Sequence, residues 1–567
     1  MKIRHITVCN FRGIDSLEWT IPDSHLIALI GQGDSTKSSV LDAIRFALFP
    51  SWNPNFNEFD FFNGDTSKPI EITVTLGDLP AEFLDESKYG LWLRGWDGKV
   101  ITDEPDNGME EVISVCLTVN EHLKPEWNVI CDRQEEGRSF RDSDRAKAKA
   151  TYIGTTYGDS HLTWRKNSAL SQITDSDNIS ASLTMAARAA KDALNANRGE
   201  NLTSFDAAAK KAEDIAKIFG VPVSSDGAFK AQLDTGAVNI QQGGLSLHDD
   251  NLPLRCYGLG SRRMLIIGIQ QDNLEESHIT LVDEVEIGLE PHRIARLLKL
   301  LMSDEKGQYF LTTHSPVVLR ELTVDELCVV QSLNGKTIIT NTAIPSLKSR
   351  IQGKIRSGAE AFLARKIIVC EGATEVGLCR GLDDYWVSQS NDPFSYHGVA
   401  MFDAGGGSNV RSTAEVIKSL GYEVAVIVDT DDHFTQADED HLVASSICVV
   451  KWDGDISIEK YFFRNLPWAN VVSSVQLAID MHGDKVLDQI RNHYEQLDGQ
   501  MNNWQDSENL RQAIGVASCG NAEGKNAWFK RQSRAEEWVP VISDSFADPD
   551  LDTSKKISQL ADWIMSA

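Results

Sequence analysis

The chain has 567 residues, 41% hydrophobic and 24% charged, which is ordinary globular usage with length for about three or four domains or two large ones. Its 55 lysines and arginines against 83 aspartates and glutamates leave a net charge of −28. This excludes nucleic-acid binding by counterion release over the whole surface and confines any DNA contact to a local basic patch or to metal ions held by carboxylates. Nine cysteines without a C-x-x-C pair indicate neither a disulfide framework nor a zinc ribbon.

The start, Met1 to Ile6, lacks the apolar core of a signal peptide, and no apolar run approaches the roughly 18 residues of a membrane span. A cytoplasmic protein without a membrane partner is expected. Alternation in Ile3–Cys9, the run Leu26–Ile30 and the Val/Ile/Thr-rich Ile70–Leu76 predict strands, with a glycine loop and a helix after the second run. Leu84 to Trp164 reads as short strands among charged loops. Ser180 to Phe219 is alanine-rich with helical spacing at Leu183, Ala187, Ala190 and Leu194, and Asn195 to Leu202 reads as a break between two helices. Such packed small residues suit a helical hairpin or a dimer contact, and an ordinary pair of core helices equally well. Regular α/β pattern runs from Leu245 to about Ile344. A basic stretch follows, with Lys348, Arg350, Lys354, Arg356, Arg365 and Lys366 against Glu360 alone. It reads as a solvated linker helix, with guidance of a nucleic-acid backbone as the alternative. A second α/β unit begins at Ile367. The expected division is 1–345 with a helical insert at about 175–235, a linker at 346–366, and 367–567.

Gly31-Gln-Gly33-Asp-Ser-Thr36-Lys37-Ser38 follows an apolar strand and opens an amphipathic helix, the context of a P-loop. Backbone N–H groups and the helix N-terminus would cradle phosphates, Lys37 would reach the β/γ oxygens, and Ser38 would hold Mg²⁺. Thr36 stands where the pattern has glycine, so this segment alone fits a glycine-containing turn as well. Distant residues agree with the P-loop. The strand Ile279–Val282 ends in Asp283-Glu284, where Asp283 can hold the metal through water and Glu284 can polarise the attacking water. His314 follows the next apolar strand, placed to sense a γ-phosphate. Gly258-Leu-Gly260-Ser261-Arg262-Arg263 opens a further helix ahead of the acidic strand, a second phosphate-seeking helix start.

The order Asn10-Phe11-Arg12-Gly13, P-loop, Gly260-Ser261, Asp283-Glu284, Glu286-x-x-Leu289-x-Pro291 and His314 resembles the ABC-type ATPases of the RecF/SMC group, over roughly residues 1–80 and 245–320. The resemblance implies ATP as cofactor, contacts from Arg12, and two protomers that sandwich ATP, with Ser261 of one facing the P-loop of the other. The family's glutamine loop is missing, and Asp60 is the candidate to replace it.

In the C-terminal unit, Ile367–Cys370 is a strand ending in Glu371-Gly372, with Glu375 one turn on. An acid in a helix's first turn is also favoured by the dipole, so Glu375 has a purely structural explanation available. Glu423–Val428 is a second apolar strand, ending in Asp429-x-Asp431. Acids clustered at adjacent strand ends repel unless cations lie between them, and oxygen-only ligands suit Mg²⁺ or Mn²⁺ rather than zinc. This pattern, with the glycine turn Asp403–Gly407 between, resembles the Toprim fold. The tyrosine-bearing domain of a topoisomerase and the zinc module of a primase have no counterpart here.

An ATPase of this type followed directly by Toprim resembles the OLD (overcoming lysogenization defect) family nucleases, over nearly the whole chain. The implied fold is α/β, a RecF/SMC-like ABC ATPase domain with a helical dimerisation insert followed by a Toprim α/β domain. The implied activity is ATP-controlled, metal-dependent cleavage of DNA in anti-phage defence by a homodimer or larger homo-oligomer, alone or with a helicase or a retron reverse transcriptase as partner. On the family pattern Glu371, Asp429 and Asp431 would hold one metal and Glu375 and Glu459 the other, with Ser457 in the Ser-x-Glu element. Lys525 matches the late catalytic lysine, with Lys530 and Arg531 as neighbours. Surface charge is the plain alternative for Glu459 and Lys525. At the level of function, the alternative is a nucleotide-gated DNA sensor or scaffold that does not cut.

Overall fold

A computed structural model describes residues 1–50, 54–154, 162, 179–196, 208–213, 229, 247–272, 277–429, 434–452, 454, 456–521 and 526–566. One large mixed sheet occupies the N-terminal part. Its parallel portion runs Ala150–Ile153, His278–Val282, Gly307–Thr312, Leu26–Ile30, Leu327–Leu333 in spatial order. Leu26–Ile30 is an interior strand, flanked by Gly307–Thr312 and Leu327–Leu333, and all five of its residues are buried. A strand covered on both faces must be apolar throughout, which is why this segment reads as a run rather than an alternation.

The remaining strands pair antiparallel, apart from Lys336–Asn341 beside Ile14–Thr20, which is parallel, and they carry the alternation that one covered face demands. Lys2–Phe11 pairs with Ile14–Thr20 on one side and Ile70–Gly77 on the other, and Ile70–Gly77 pairs with Glu110–Val119. Glu110–Val119, expected only as one of several short strands, is ten residues long and carries the sheet outward to Pro125–Ile130. The helix Ile179–Ala196 confirms the first half of the alanine-rich expectation, with Leu183 and Ala187 on its buried face. The proposed break and second helix fall largely outside the described residues. Among the described residues no helix is long and apolar enough to cross a membrane.

The C-terminal unit is built on four parallel strands in the order Val399–Asp403, Lys366–Cys370, Glu423–Asp429, Cys448–Trp452. Its central strand Lys366–Cys370 is entirely buried. Here the structure corrects the basic stretch. Helix covers only Lys348–Ser357, and it is docked rather than solvated, with Ile351 and Ile355 fully buried. Lys366 is no surface cation. Its ammonium is 1% exposed and donates to the carbonyls of Trp563 (3.1 Å), Ile564 (3.3 Å) and Ser566, tying the last helix, Asp552–Met565, to the sheet.

One hydrophobic core crosses from the first sheet to the second. It includes Ala28 and Ile30 beneath the glycine loop, Val329 on the neighbouring strand, Ile351, Ile355 and Phe362, then Phe402, Ile417 and Tyr422 of the C-terminal unit. Phe362 sits edge-on to both Phe402 (6.1 Å) and Tyr422 (5.9 Å), and the Tyr422 hydroxyl donates to its carbonyl at 2.7 Å. Truncation of a buried phenylalanine typically costs about 3–5 kcal/mol. Phe362→Ala should therefore lower the denaturation midpoint sharply, and near- and far-ultraviolet signals should still move together. An unchanged midpoint, or two separated transitions in the parent, would show that the core is not shared.

Candidate functional site

The first candidate site forms at the C-terminal edge of the parallel strands, where α/β sheets place their ligands. The loop after Leu26–Ile30 leads into the helix Lys37–Leu48. Thr36 immediately precedes it with φ +68°, the left-handed region that glycine adopts freely and a β-branched residue does not. The turn therefore keeps the conformation that the missing glycine would have, and Thr36 is fixed there by a hydroxyl contact to Thr337 at 2.9 Å. Lys37 is 4% exposed and donates to the carbonyls of Gly31 (3.1 Å) and Gln32 (2.5 Å) and to Ser35 Oγ (3.0 Å). Burial pulls its pKa down to about 8, against the opposing field of Asp34, Asp283, Glu286 and Glu284. Gly33 has open space around it, while a Cβ on Gly31 would lie 2.5 Å from the Val330 carbonyl oxygen.

Residues far apart in sequence meet here. Ser38 Oγ donates to Asp283 Oδ1 at 2.9 Å, across 245 positions, and Thr312 donates to the same oxygen at 2.6 Å. Glu284 follows with φ +47°, and its N–H donates to Thr312 Oγ1 at 2.8 Å. Backbone strain of this kind persists only where the surroundings hold it. Glu286 gathers the opposite wall, accepting from Thr313 Oγ1 at 2.8 Å and from the His314 N–H at 2.6 Å. His314 is pushed below the ordinary histidine range by desolvation and by the nearby Lys37 charge.

Gly260 and Ser261 lie in the first turn of the helix Leu259–Asp272. A Cβ on Gly260 would fall 2.0 Å from the Gly288 carbonyl oxygen, so this helix start is docked on the loop beyond Asp283-Glu284. Ser261 Oγ accepts from Arg293 at 3.1 Å. Arg263 was not singled out from the sequence, yet its guanidinium is buried, donates to the Asp283 carbonyl, and lies in the field of Asp283, Glu286 and Glu284. No pattern in Ser261-Arg262-Arg263 tells which arginine turns inward. Arg12 is placed differently from a free phosphate ligand. It bonds Asp60 Oδ1 at 2.9 Å and pairs with Asp42 on the Lys37–Leu48 helix. Asp60 has both oxygens engaged, by Arg12 and by the Asn57 N–H at 3.0 Å.

The second candidate site lies at the strand ends of the C-terminal sheet. Lys366–Cys370 and Glu423–Asp429 are neighbours in register, Cys370 against Ile427, which brings Glu371 and Asp429 side by side. The Asp429 N–H points to Glu371 Oε2 at 3.4 Å. Asp429 Oδ2 accepts from the Ile458 N–H at 3.2 Å, at the start of the helix Ile458–Asn465. The glycine turn supports Glu371 from below, since the Gly406 N–H donates to its carbonyl at 2.8 Å. Glu375, 4% exposed, accepts from the Gly372 N–H at 2.9 Å. Its carboxyl is raised well above the usual range, by burial first and then by Glu371, Glu459 and Asp429. Glu459 is 1% exposed; burial raises it, and Lys530 opposes that rise. Lys530 follows the buried pair Trp528-Phe529, and the Phe529 ring stacks on Trp538 at 4.2 Å. Ser457 Oγ contacts Cys519 Sγ at 3.2 Å. Asp431 and Lys525 lie outside the described residues.

Among the described residues no three His, Cys, Asp or Glu side chains are close enough together to hold a metal ion. The donor set nonetheless fits one. Glu459 Oε1 is buried with no hydrogen-bond partner among the described residues, and Glu375 feels three other carboxylates. A divalent cation with oxygen ligands would satisfy that oxygen and offset that repulsion.

Comparison with known proteins gives two family matches. Residues 123–320 match the AAA domain family (AbiEii toxin, Type IV TA system), and residues 362–431 match the overcoming lysogenization defect protein-like TOPRIM domain. The first match contains Gly260, Asp283 and His314 but begins downstream of the Gly31–Ser38 loop. Endonuclease GajA of Bacillus cereus (strain VD045) is 24% identical over 405 residues, 66% of this chain and 66% of that protein. The chain thus spans just under two thirds of that relative's length. Among solved structures, an Smc head bound to the C-winged helix domain of ScpA is 14% identical and covers 60% of this chain and 98% of its own, with a TM-score of 0.34. The SMC head domain from Thermotoga maritima is 13% identical and covers 60% and 99%, with a TM-score of 0.29.

Proposed function

The chain carries an AAA-type ATPase domain followed by an OLD-like TOPRIM domain, and on that footing we propose that it is an ATP-binding, metal-dependent DNA endonuclease of anti-phage defence. The observation that carries this reading is the adjacency of Glu371 and Asp429 at neighbouring strand ends, with Glu375 and Glu459 buried within reach of their field and a Glu459 oxygen without a donor among the described residues. Glu371, Asp429 and Asp431 would hold one Mg²⁺ or Mn²⁺, and Glu375 and Glu459, with Ser457 alongside, the other. Such ions supply an activated water and charge stabilisation at the leaving oxygen of a phosphodiester. The protein's own part is to fix the carboxylates through backbone N–H groups and to keep Glu375 and Glu459 buried. A lysine ammonium near Glu459 would balance negative charge on the phosphate; the family pattern indicates Lys525, and the charge acting on Glu459 indicates Lys530.

ATP binds, on this reading, between two protomers. Gly31, Gly33, Lys37 and Ser38 of one receive the phosphates, with Asp283, Glu284 and His314 beside them, and Ser261 comes from the other. Arg12 braces the Lys37–Leu48 helix through Asp42 and is proposed to reach the nucleotide from there. The decisive experiment incubates purified protein with supercoiled plasmid and Mg²⁺ or Mn²⁺, with and without ATP. Nicking or linearisation that EDTA abolishes supports the nuclease. Tight DNA binding without cutting under every condition would replace it with a nucleotide-gated sensor or scaffold.

The nucleotide site makes a separate prediction. Lys37 ties the loop together and would face the phosphates, so Lys37→Ala should weaken ATP binding about tenfold or more. Glu284→Gln should leave binding intact and stop turnover. Equilibrium binding of a fluorescent ATP analogue and phosphate release would check both. Unchanged affinity in Lys37→Ala would remove the loop from the nucleotide site.

A further inference from the structure

Outside the carboxylate cluster, a cavity of about 650 Å³ opens between the helices Ile458–Asn465 and Glu508–Ser518. The same two helices frame the metal-type site. At one end Ser457 touches Cys519, and Glu459 turns inward toward Glu375. One residue further, Lys460 turns the other way, into the cavity wall, and Arg464 stands one turn beyond it on the same helix face. The close approach of the second helix, whose Gly515 would bring a Cβ within 3.2 Å of Lys460 Cα, sets the width of the opening at this point.

The charges of this wall are unequal in their engagement. Arg511 is committed, bonded to Asp506 at 2.6 and 2.8 Å and to the carbonyls of Phe463, Arg464 and Leu466 at 3.1, 3.1 and 2.8 Å. It ends the Ile458–Asn465 helix and holds Arg464 in place, and Asp506 is spent in doing so. Lys460 and Arg464 make no side-chain hydrogen bond or ion pair with any described residue, and Glu508 at the rim is the acid left to face them. In a chain of net charge −28, two cations one turn apart beside a cavity, neither in an ion pair with a described residue, are a selective feature, since acids are in surplus to neutralise them. Asn465 and Gln512 add neutral hydrogen-bonding groups to the same wall.

We propose that this cavity seats the phosphodiester backbone of the DNA strand immediately beside the bond to be cut, with Lys460 and Arg464 each meeting a phosphate. The inference rests on the nuclease reading and extends it, because it fixes which side of Glu459 the substrate strand leaves by. Lys460 and Arg464 are positioning residues. They bind the strand, whereas the carboxylates address the scissile phosphate.

The test uses the full-length protein and a fluorescent DNA duplex, with Ca²⁺ replacing the active metal for binding and Mg²⁺ for single-turnover cleavage. Each phosphate contact adds about 0.9 to the slope of log affinity against log salt, so the double variant Lys460→Ala/Arg464→Ala should lose about 2 from that slope. Its affinity should fall about tenfold or more at low salt, while the binding of ATP stays at the parent value. Arg464→Glu alone should weaken binding further than Arg464→Ala. A control lacking Lys68 and Lys99, two exposed lysines of the other unit, should keep the parent slope. Parent affinity and slope in the double variant, with the parent protein cutting DNA, would overturn the seat and leave the nuclease standing. A parent protein that binds DNA with this slope change but never cuts would retain the seat and remove the nuclease.

Discussion

Glu371→Ala and Asp429→Ala should each lower plasmid cleavage about 10³-fold or more, the several kcal/mol that a correctly held metal contributes to such a reaction. Both side chains sit at adjacent strand ends, where each would supply oxygen to the proposed metal, and Glu371→Ala also takes away the Oε2 to which the Asp429 N–H points. ATP binding should be untouched, because the Ser38–Asp283 contact lies on a different sheet. A second readout separates ligand loss from misfolding. Without metal, each carboxylate removed relieves Glu375, whose charged form Glu371 and Asp429 disfavour. The EDTA-treated variants should therefore melt no lower than the EDTA-treated parent, whereas added Mn²⁺ should raise the parent's melting temperature and leave theirs nearly unmoved. Normal cutting by both variants would end the TOPRIM nuclease reading.

What the sequence made legible follows from how locally each feature is determined. Leu26–Ile30 and Ile367–Cys370 were readable as buried interior strands because a strand covered on both faces has little room for a polar position. The carboxylates were readable because α/β sheets put ligands at strand ends, and Glu371 and Asp429 are the residues at which two such strands stop. Lys366 was misread for a physical reason. A lysine beside Arg365 carries no mark of burial, and its burial depends on three carbonyls at the far C-terminus, about two hundred positions away. Arg263 escaped notice similarly, since its partner is a backbone carbonyl and not a complementary side chain. Thr36 teaches the converse. Its identity departs from the P-loop, but its backbone angles do not, because the hydroxyl contact to Thr337 and the neighbouring Gly13 hold the turn in shape. The docked helix Lys348–Ser357 was taken for a linker because its two buried isoleucines are outnumbered by charges that face solvent.

The lysine assignment is open to a direct comparison. Lys530→Ala should slow DNA cleavage by about 10²-fold or more at saturating metal, the scale seen when one preorganised donor is lost. The motivation is that Lys530 is the first cation to offset the burial of Glu459, and that Trp528 and Phe529 anchor it in the core while its own side chain is exposed. An ammonium so held costs no reorganisation when charge builds on the phosphate. Lys530→Arg should recover only part of the rate, since a planar fork does not reproduce a compact charge. Metal affinity should fall modestly in Lys530→Ala rather than collapse, because a protonated lysine ligates nothing, and ATP turnover should hold. Lys525→Ala is the paired measurement. Parent-like cutting there, with slow cutting in Lys530→Ala, moves the role from the lysine that the family pattern selects to the one that the buried glutamate selects. Slow cutting in Lys525→Ala alone returns it to Lys525 and reduces Lys530 to a neighbour that keeps Glu459 ionised, an effect that would surface as a metal affinity falling with pH more steeply than in the parent.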